Sequence, residues 1–227
     1  FYFLGEKSPN LKNDFSKIKK EENVNSNLKL SISDKKIQVL LMFAGVFCCI
    51  AMSMPQVHIV PLCIDSGFGI AVGTEILSFM LFAAVTSRVL FGFLSDKIGP
   101  IQTLILGSTL QAISLSMFLP FNSQLSLYIV AICFGLSQGG IVPIYAVIIS
   151  KFLPENEVAE RVGLLIFATI VGMSLGGWLS GEIYDYTNSY QMAFLNGIFW
   201  NLINLLIMFY LFLKYKQSIK SVDKYEY

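Results

Sequence analysis

Six apolar runs, each long enough to cross a membrane as a helix, constrain this chain more than any other feature. The runs cover residues 37–63, 73–95, 101–120, 124–150, 160–184 and 190–213. A transmembrane helix needs about 20 apolar residues to cross about 30 Å of hydrocarbon, whereas a membrane β-barrel would show short alternating segments. Of the residues, 55% are hydrophobic and 14% are charged. The sequence therefore predicts an all-α membrane protein with six transmembrane helices, joined by short connections that make successive helices antiparallel.

Polar segments lie at both ends of the chain. Residues 1–4 resemble the end of a preceding apolar helix, and residues 5–36 are rich in lysine and have no periodic apolar face. Such a composition is typical of a flexible linker. We therefore expect a cytoplasmic linker at 5–36, a six-helix transmembrane domain at 37–213 and a cytoplasmic tail at 214–227. The chain is then the back part of a longer protein.

Basic residues are distributed unequally between the two sides of the predicted helices. All sixteen Lys and Arg residues except Arg88 fall in the linker, in the tail, or in the loops near Lys97 and Lys151. Loops rich in Lys and Arg stay in the cytoplasm. This pattern predicts a multi-pass protein of the cell (inner or plasma) membrane with both termini cytoplasmic. Because orientation in the lipid bilayer explains the basic linker, we expect no nucleic-acid partner.

Two of the six runs contain residues that break helices. Pro55 and Pro61 lie in the first run, and the fourth run contains Gly139, Gly140 and Pro143. A proline removes a backbone donor, and interrupted membrane helices are tolerated where they line a cavity or are buried in protein. Interruptions at corresponding positions of repeated three-helix units are typical of transporters and point to the substrate site.

The loop after the second run carries a Gly-x-x-x-Asp-Lys-x-Gly motif formed by Gly92, Asp96, Lys97 and Gly99. This loop resembles the signature loop between the second and third helices of each half of a major facilitator superfamily transporter. The resemblance covers residues 37–213 and implies the C-terminal six-helix half of a twelve-helix fold, with the N-terminal half missing. It implies that the four motif residues form a cytoplasmic gate, and that Asp96 docks on a helix absent from this chain. At the next two positions the family carries basic residues, whereas this chain has a proline and an isoleucine.

Arg88 lies inside an apolar run, four residues before the motif glycine. This placement resembles the monocarboxylate porter and oxalate/formate antiporter group, in which an arginine of the eighth helix pairs with the substrate carboxylate. Two features of that group are absent here. Ala84 stands where monocarboxylate porters carry an aspartate, and residues 162–181 contain no basic residue where the oxalate exchangers carry a lysine. The proton-coupling carboxylate and the dicarboxylate clamp of those groups therefore cannot be carried over to this chain.

The depth of Arg88 also demands a polar environment. Eight residues separate it from Asp96, which places it roughly 12 Å inside the membrane. An arginine there costs at least about 2.5–3.5 kcal/mol if it faces lipid, so it must face a wet cavity or an ion-pair partner. A guanidinium fork suits a carboxylate. The alternative is an ion pair with an acid outside this chain, since Glu182 and Asp185 are expected to lie too far towards the outer side.

Four further polar side chains are candidates for the cavity lining. His58 and Gln56 lie in the proline-containing part of the first helix, and Gln138 and Tyr145 are seven residues apart on the fourth, where they would share a face. His58 either bonds a backbone carbonyl freed by a proline or handles protons and substrate. We expect Asn196, Asn201 and Asn204 of the last helix to serve packing.

The chain shows no catalytic motif, no metal-ligand spacing and no sign of a cofactor, so we do not expect an enzyme. The four cysteines are interpreted as small membrane-buried residues. The sequence predicts secondary active transport of a small organic anion, a mono- or dicarboxylate, by alternating access. Two alternatives stay open: a porter of a neutral or cationic solute in which Arg88 is only a gating ion pair, and a non-transporting membrane receptor or scaffold on the same fold.

Overall fold

The computed structural model describes residues 32–120 and 123–223, and this part of the chain is helical. The predicted helix end at 1–4 and nearly all of the predicted linker lie outside the described residues. The helices are α1 (Asp34–Asp65), α2 (Ile70–Ile98), α3 (Pro100–Met117), α4 (Gln124–Gln138), α5 (Ile141–Phe152), α6 (Val158–Thr187) and α7 (Tyr190–Asp223). A single 3₁₀ turn, Glu155–Glu157, precedes α6.

Most of these helices have the length and composition of membrane spans. In the described part of the chain, α1, α2, α6, α7 and the combined α4–α5 segment are long and apolar enough to cross a membrane. The third helix, α3, has 18 residues, and its polar side chains Thr103, Ser108 and Gln111 are fully buried in the bundle. Thr103 bonds the carbonyl of Gly99 at the start of its own helix, whereas Ser108 and Gln111 bond Asn204 and Cys48 of neighbouring helices. The chain is an all-helical, multi-pass membrane protein, as predicted.

Helix α1 lies at the centre of the bundle and contacts α2, α5, α6 and α7. Its closest approach is to α6, where Gly172 and Gly176 face the backbone of Val46 and Ile50. A Cβ atom on either glycine would collide with that backbone. Small residues allow membrane helices to approach in this way, so these two glycines permit the close packing of α1 and α6.

The two runs with helix breakers behave differently. α1 continues as one helix through Pro55 and Pro61. The fourth span is interrupted at Gly139 and Gly140, which form a turn between α4 and α5. The predicted interruption of the fourth span is therefore confirmed, whereas the prolines of the first span bring no break in the helix.

The motif residues mostly lie in helix, and not in a turn. α2 runs to Ile98, so Gly92, Asp96 and Lys97 belong to its last two turns. Only Gly99 leaves the helix, with φ 90° and ψ 152°, a conformation open to glycine and strained for other residues. The loop predicted to carry the motif is thus shorter than the motif itself, and Gly99 is the one motif residue outside the helix. Helix α7 also extends past the predicted span end at 213 to Asp223.

Candidate transport site

The carboxamides of Gln56 and Gln138 form one contact between α1 and the fourth span. Gln56 Nε2 donates to Gln138 Oε1 at 3.0 Å. Gln138 is 1% exposed, and its own Nε2 has no hydrogen-bond partner among the described residues. A buried donor without a partner costs about 1–3 kcal/mol. Gln138 therefore carries an unused donor at the end of α4, where the helix is interrupted.

The hydroxyl of Ser87 holds α2 against the interruption of the fourth span. Ser87 Oγ donates to the carbonyl oxygen of Leu136 at 2.6 Å and accepts the backbone N–H of Gly140 at 3.2 Å. Ser87 is 0% exposed. Sequence reasoning gave this serine no role, because one hydroxyl in an apolar run usually bonds within its own helix. Its position directly before Arg88 was the one available signal.

Arg88 follows Ser87 on α2 and lies on the side of that helix that the bundle leaves open. Its side chain is exposed, between Val85 and Val89, which are 59% and 60% exposed. Within residues 32–120 and 123–223 the guanidinium has no hydrogen bond and no ion pair. Arg88 and Gln138 adjoin the Ser87 bridge, because Gln138 lies between Leu136 and Gly140. The bridge therefore brings the segments carrying these two side chains together.

His58 faces a different neighbour. Its Nε2 lies 3.1 Å from the carbonyl oxygen of Gly177 on α6, and its ring also lies beside Gly181. The two prolines of α1 free backbone carbonyls in its own helix, but the contact is to a glycine carbonyl of another helix. Gln56 and His58 thus point from α1 towards α4 and α6 respectively, and a direct contact between them is not formed.

Tyr145 lies in a separate, fully buried network. Its hydroxyl donates to Asn204 Oδ1 at 2.8 Å, and Asn204 Nδ2 donates to Ser108 Oγ at 3.0 Å. Asn201 Nδ2 donates to the Ser108 carbonyl at 2.9 Å. The turn between α4 and α5 separates Tyr145 from Gln138, so their seven-residue spacing does not place them on one continuous helix. The packing role predicted for Asn201 and Asn204 is confirmed.

The predicted gate residues lie at the basic end of the bundle, defined by Lys97 and Lys151. Asp96 and Lys97 are exposed and form no ion pair within the described residues. A Cβ atom on Gly92 would meet nothing within 4 Å. The last turns of α2 therefore present an open surface, although the gating role itself stays a prediction.

At the opposite end, tyrosine hydroxyls bind the acidic side chains. Tyr184 and Tyr190 both donate to Asp65 Oδ2, at 2.7 and 2.9 Å, and their rings stack with centroids 4.2 Å apart. Tyr128 donates to Glu75 Oε2 at 2.7 Å. Asp65 and Glu75 are exposed, and Asp65 joins α1 to α6 and α7.

Comparison with known proteins defines the family. The family model described as Major Facilitator Superfamily matches residues 39–225. The chain belongs to the major facilitator superfamily. Its helical bundle accordingly fits one half of a major facilitator fold.

Curated major facilitator proteins resemble the chain at low identity. Monocarboxylate transporter 13 of Rattus norvegicus is 29% identical over 143 residues, which are 62% of this chain and 33% of that protein. The MFS-type transporter opdF of Penicillium oxalicum is 29% identical over 168 residues, 70% of this chain and 40% of the relative. An MFS-type transporter of Gibberella moniliformis is 27% identical over 146 residues, 62% of this chain and 35% of the relative. The chain thus spans between a third and two fifths of these relatives.

Proposed function

We propose that this chain is the C-terminal half of a secondary transporter that moves a small organic anion, a mono- or dicarboxylate, by alternating access. Arg88 contacts the carboxylate, and Gln56, Gln138 and His58 contribute polar groups to the cavity wall. The missing N-terminal half supplies the other side of the cavity. The protein lies in the cell membrane with both termini in the cytoplasm.

The observation that carries the proposal is the unpaired guanidinium of Arg88 within a membrane span. The group is exposed and has no acidic partner in the described residues. A charge at this depth is retained where it faces water, a substrate or a charged partner. Glu182 and Asp185, the acids considered as partners, form no ion pair with it in the described residues.

Gln138 supplies a further N–H donor for the proposed carboxylate. Its buried Nε2 has no partner in the described part of the chain, and it lies beside the break that Ser87 joins to the Arg88 segment. One carboxylate accepts a bidentate guanidinium and further N–H donors. Arg88 and the amide of Gln138 lie on either side of the Ser87 bridge, and these N–H donors together favour a ligand with anionic oxygens. The name of the rat relative, monocarboxylate transporter 13, agrees with this class.

The gate is proposed to lie at the basic end. Gly92, Asp96, Lys97 and Gly99 match the family motif, and the exposed Asp96 carboxylate is free to dock on a helix of the other half. Gly99 fixes the sharp turn into α3. Tyr145 is left out of the proposed cavity wall, because its hydroxyl already donates a hydrogen bond to Asn204 Oδ1.

Uptake of labelled lactate and oxalate by the full-length gene product tests the function. We expect Arg88→Lys to reduce carboxylate uptake at least about tenfold, because a lysine loses the bidentate fork, and Arg88→Gln to abolish it. The matched control is Arg161→Lys, since the chain's other arginine pairs with Glu157 at the basic end and is expected to keep uptake near the wild-type rate.

Lactamide separates the alternatives. It has the carbon skeleton of lactate without the charge, so an anion transporter takes up lactate and discriminates against lactamide. Equal uptake of lactate and lactamide would favour a neutral-solute porter. Undiminished lactate uptake by Arg88→Gln would remove Arg88 from the site. No uptake of any tested solute by well-expressed protein would favour the receptor or scaffold.

A further inference from the structure

The Ser87 hydroxyl completes the hydrogen bonding of another helix. In an unbroken fourth span, the N–H of Gly140 would donate to the carbonyl of Leu136, four residues earlier. Instead, Gly140 N–H donates to Ser87 Oγ, and Ser87 Oγ donates to Leu136 O. A side chain inserted into the i→i−4 ladder is an established cause of a kink. Here the inserted group belongs to α2.

Backbone packing keeps this insertion in place. Gly139 lies against the backbone of Ala84, and Gly140 lies against the ring of Phe91. A Cβ atom on either glycine would collide with these α2 atoms. The buried face of α2 carries Ala84, Ser87 and Phe91. This one face of α2 therefore packs against both glycines of the break.

Two other buried serines among the described residues, Ser53 and Ser180, bond within their own helices. Ser180 donates to the carbonyl of Gly176 at 2.7 Å, and Ser53 donates to that of Ile50 at 3.0 Å, each within its own helix. A hydroxyl bonded within its own helix places no constraint on a neighbour. Ser87 differs because it both donates and accepts across the α2–α4 interface.

We propose that Ser87 is a positioning residue that couples the break of the fourth span to α2. Its hydroxyl makes the break and the Arg88 segment of α2 move as one unit. This coupling keeps Arg88 and Gln138 in a fixed relation while the helices change their tilt. A hydroxyl is required because the site needs one donor and one acceptor on the same atom.

A distance measurement tests the coupling without any substrate. Cysteines replacing Ile98 at the end of α2 and Lys151 at the end of α5 carry spin labels in the full-length protein, and Cys133, the half-buried native cysteine, is replaced by alanine. Ser87→Ala is expected to broaden the distance distribution between the labels. Ser180→Ala, the matched buried serine, is expected to leave it narrow, and Ser87→Thr, which keeps a hydroxyl, is expected to stay close to wild type.

Two results would overturn the proposal. One is an unchanged distribution in Ser87→Ala protein that melts near the wild-type temperature. The other is an equally broad distribution in Ser87→Thr, since that would assign the effect to side-chain volume. Because this measurement needs no transported solute, its outcome is independent of the proposed anion transport.

Transport kinetics test whether the coupling by Ser87 affects substrate binding, and this test rests on the proposed function. Ser87→Ala is expected to raise the KM for lactate about three- to tenfold, since small displacements of binding groups weaken binding. A purely structural serine would lower only the amount of folded protein, and with it the maximal rate. An unchanged KM for Ser87→Ala beside a raised KM for Arg88→Lys would reject the positioning role and keep the transport function.

Discussion

Two groups of buried polar side chains in the same bundle differ in how completely they are hydrogen bonded. The packing cluster, formed by Ser108, Tyr145, Asn201 and Asn204, has no buried side-chain nitrogen or oxygen without a partner. The break cluster contains Gln56, Ser87 and Gln138, with Arg88 at its edge. In it, Gln138 Nε2 has no partner in the described residues.

The difference indicates different roles. A fully paired polar network within a membrane bundle stabilises one arrangement of its helices. An unpaired buried donor lowers stability and leaves an N–H group that a ligand or a second conformation can use. Side chains of the packing cluster are therefore expected to affect stability, and those of the break cluster to affect transport.

The largest stability effect is expected for Asn204→Ala. The substitution removes the hydrogen bonds to Tyr145, Ser108 and Asn201, and should lower the free energy of unfolding by about 2 kcal/mol. Chemical denaturation in detergent measures this loss. The matched control is Asn196→Ala, because Asn196 accepts one bond from Trp200 and its Nδ2 is unpaired in the described residues. An equal loss in both variants would contradict the special role of the packing cluster.

Gln138→Met is expected to separate stability from transport. It removes the unpaired Nε2 donor at similar volume but also the Oε1 acceptor of Gln56 Nε2. The two effects oppose each other, so the free energy of unfolding should stay within about 1 kcal/mol of wild type. The KM for lactate should rise about fivefold, which corresponds to about 1 kcal/mol of lost binding. A large loss of stability with an unchanged KM would place Gln138 in packing.

Tyr145→Phe is expected to have the smallest effect. It removes one hydroxyl that is donated to Asn204, at a cost of about 0.6 kcal/mol, and should leave the KM unchanged. The same denaturation and uptake measurements apply. If the KM instead rises as in Gln138→Met, Tyr145 belongs to the cavity lining that the sequence predicts.

The helices and the broken span could be predicted because their signals are local. The length of the apolar runs predicts the spans, and the two glycines before Pro143 predict the interruption. The turn at Gly99 follows in the same way from its motif. The prolines of α1 show the limit of this reasoning, since the helix continues through both of them.

The partners of individual side chains could not be predicted, because helical spacing says which residues share a face and not which neighbour that face meets. Ser87 resembles any other serine in an apolar run until the break of α4 is placed beside it. For His58 the sequence left open a bond to a carbonyl freed by a proline or a role with protons and substrate, and neither indicated its neighbour, the carbonyl of Gly177 on α6. Gln138 and Tyr145 lie on either side of the turn between α4 and α5 and bond different helices, through Gln56 of α1 and Asn204 of α7.

The length of α7 has a consequence for how the bundle sits in lipid. Its 34 residues extend about 51 Å at 1.5 Å per residue, whereas hydrocarbon is about 30 Å thick. The last turns of α7, which carry Lys214 and Lys216, therefore extend beyond the acyl chains. Ammonium groups at the level of the lipid headgroups attract anionic lipids. We therefore expect Lys214 and Lys216 to anchor this end of α7 at the level of the lipid headgroups.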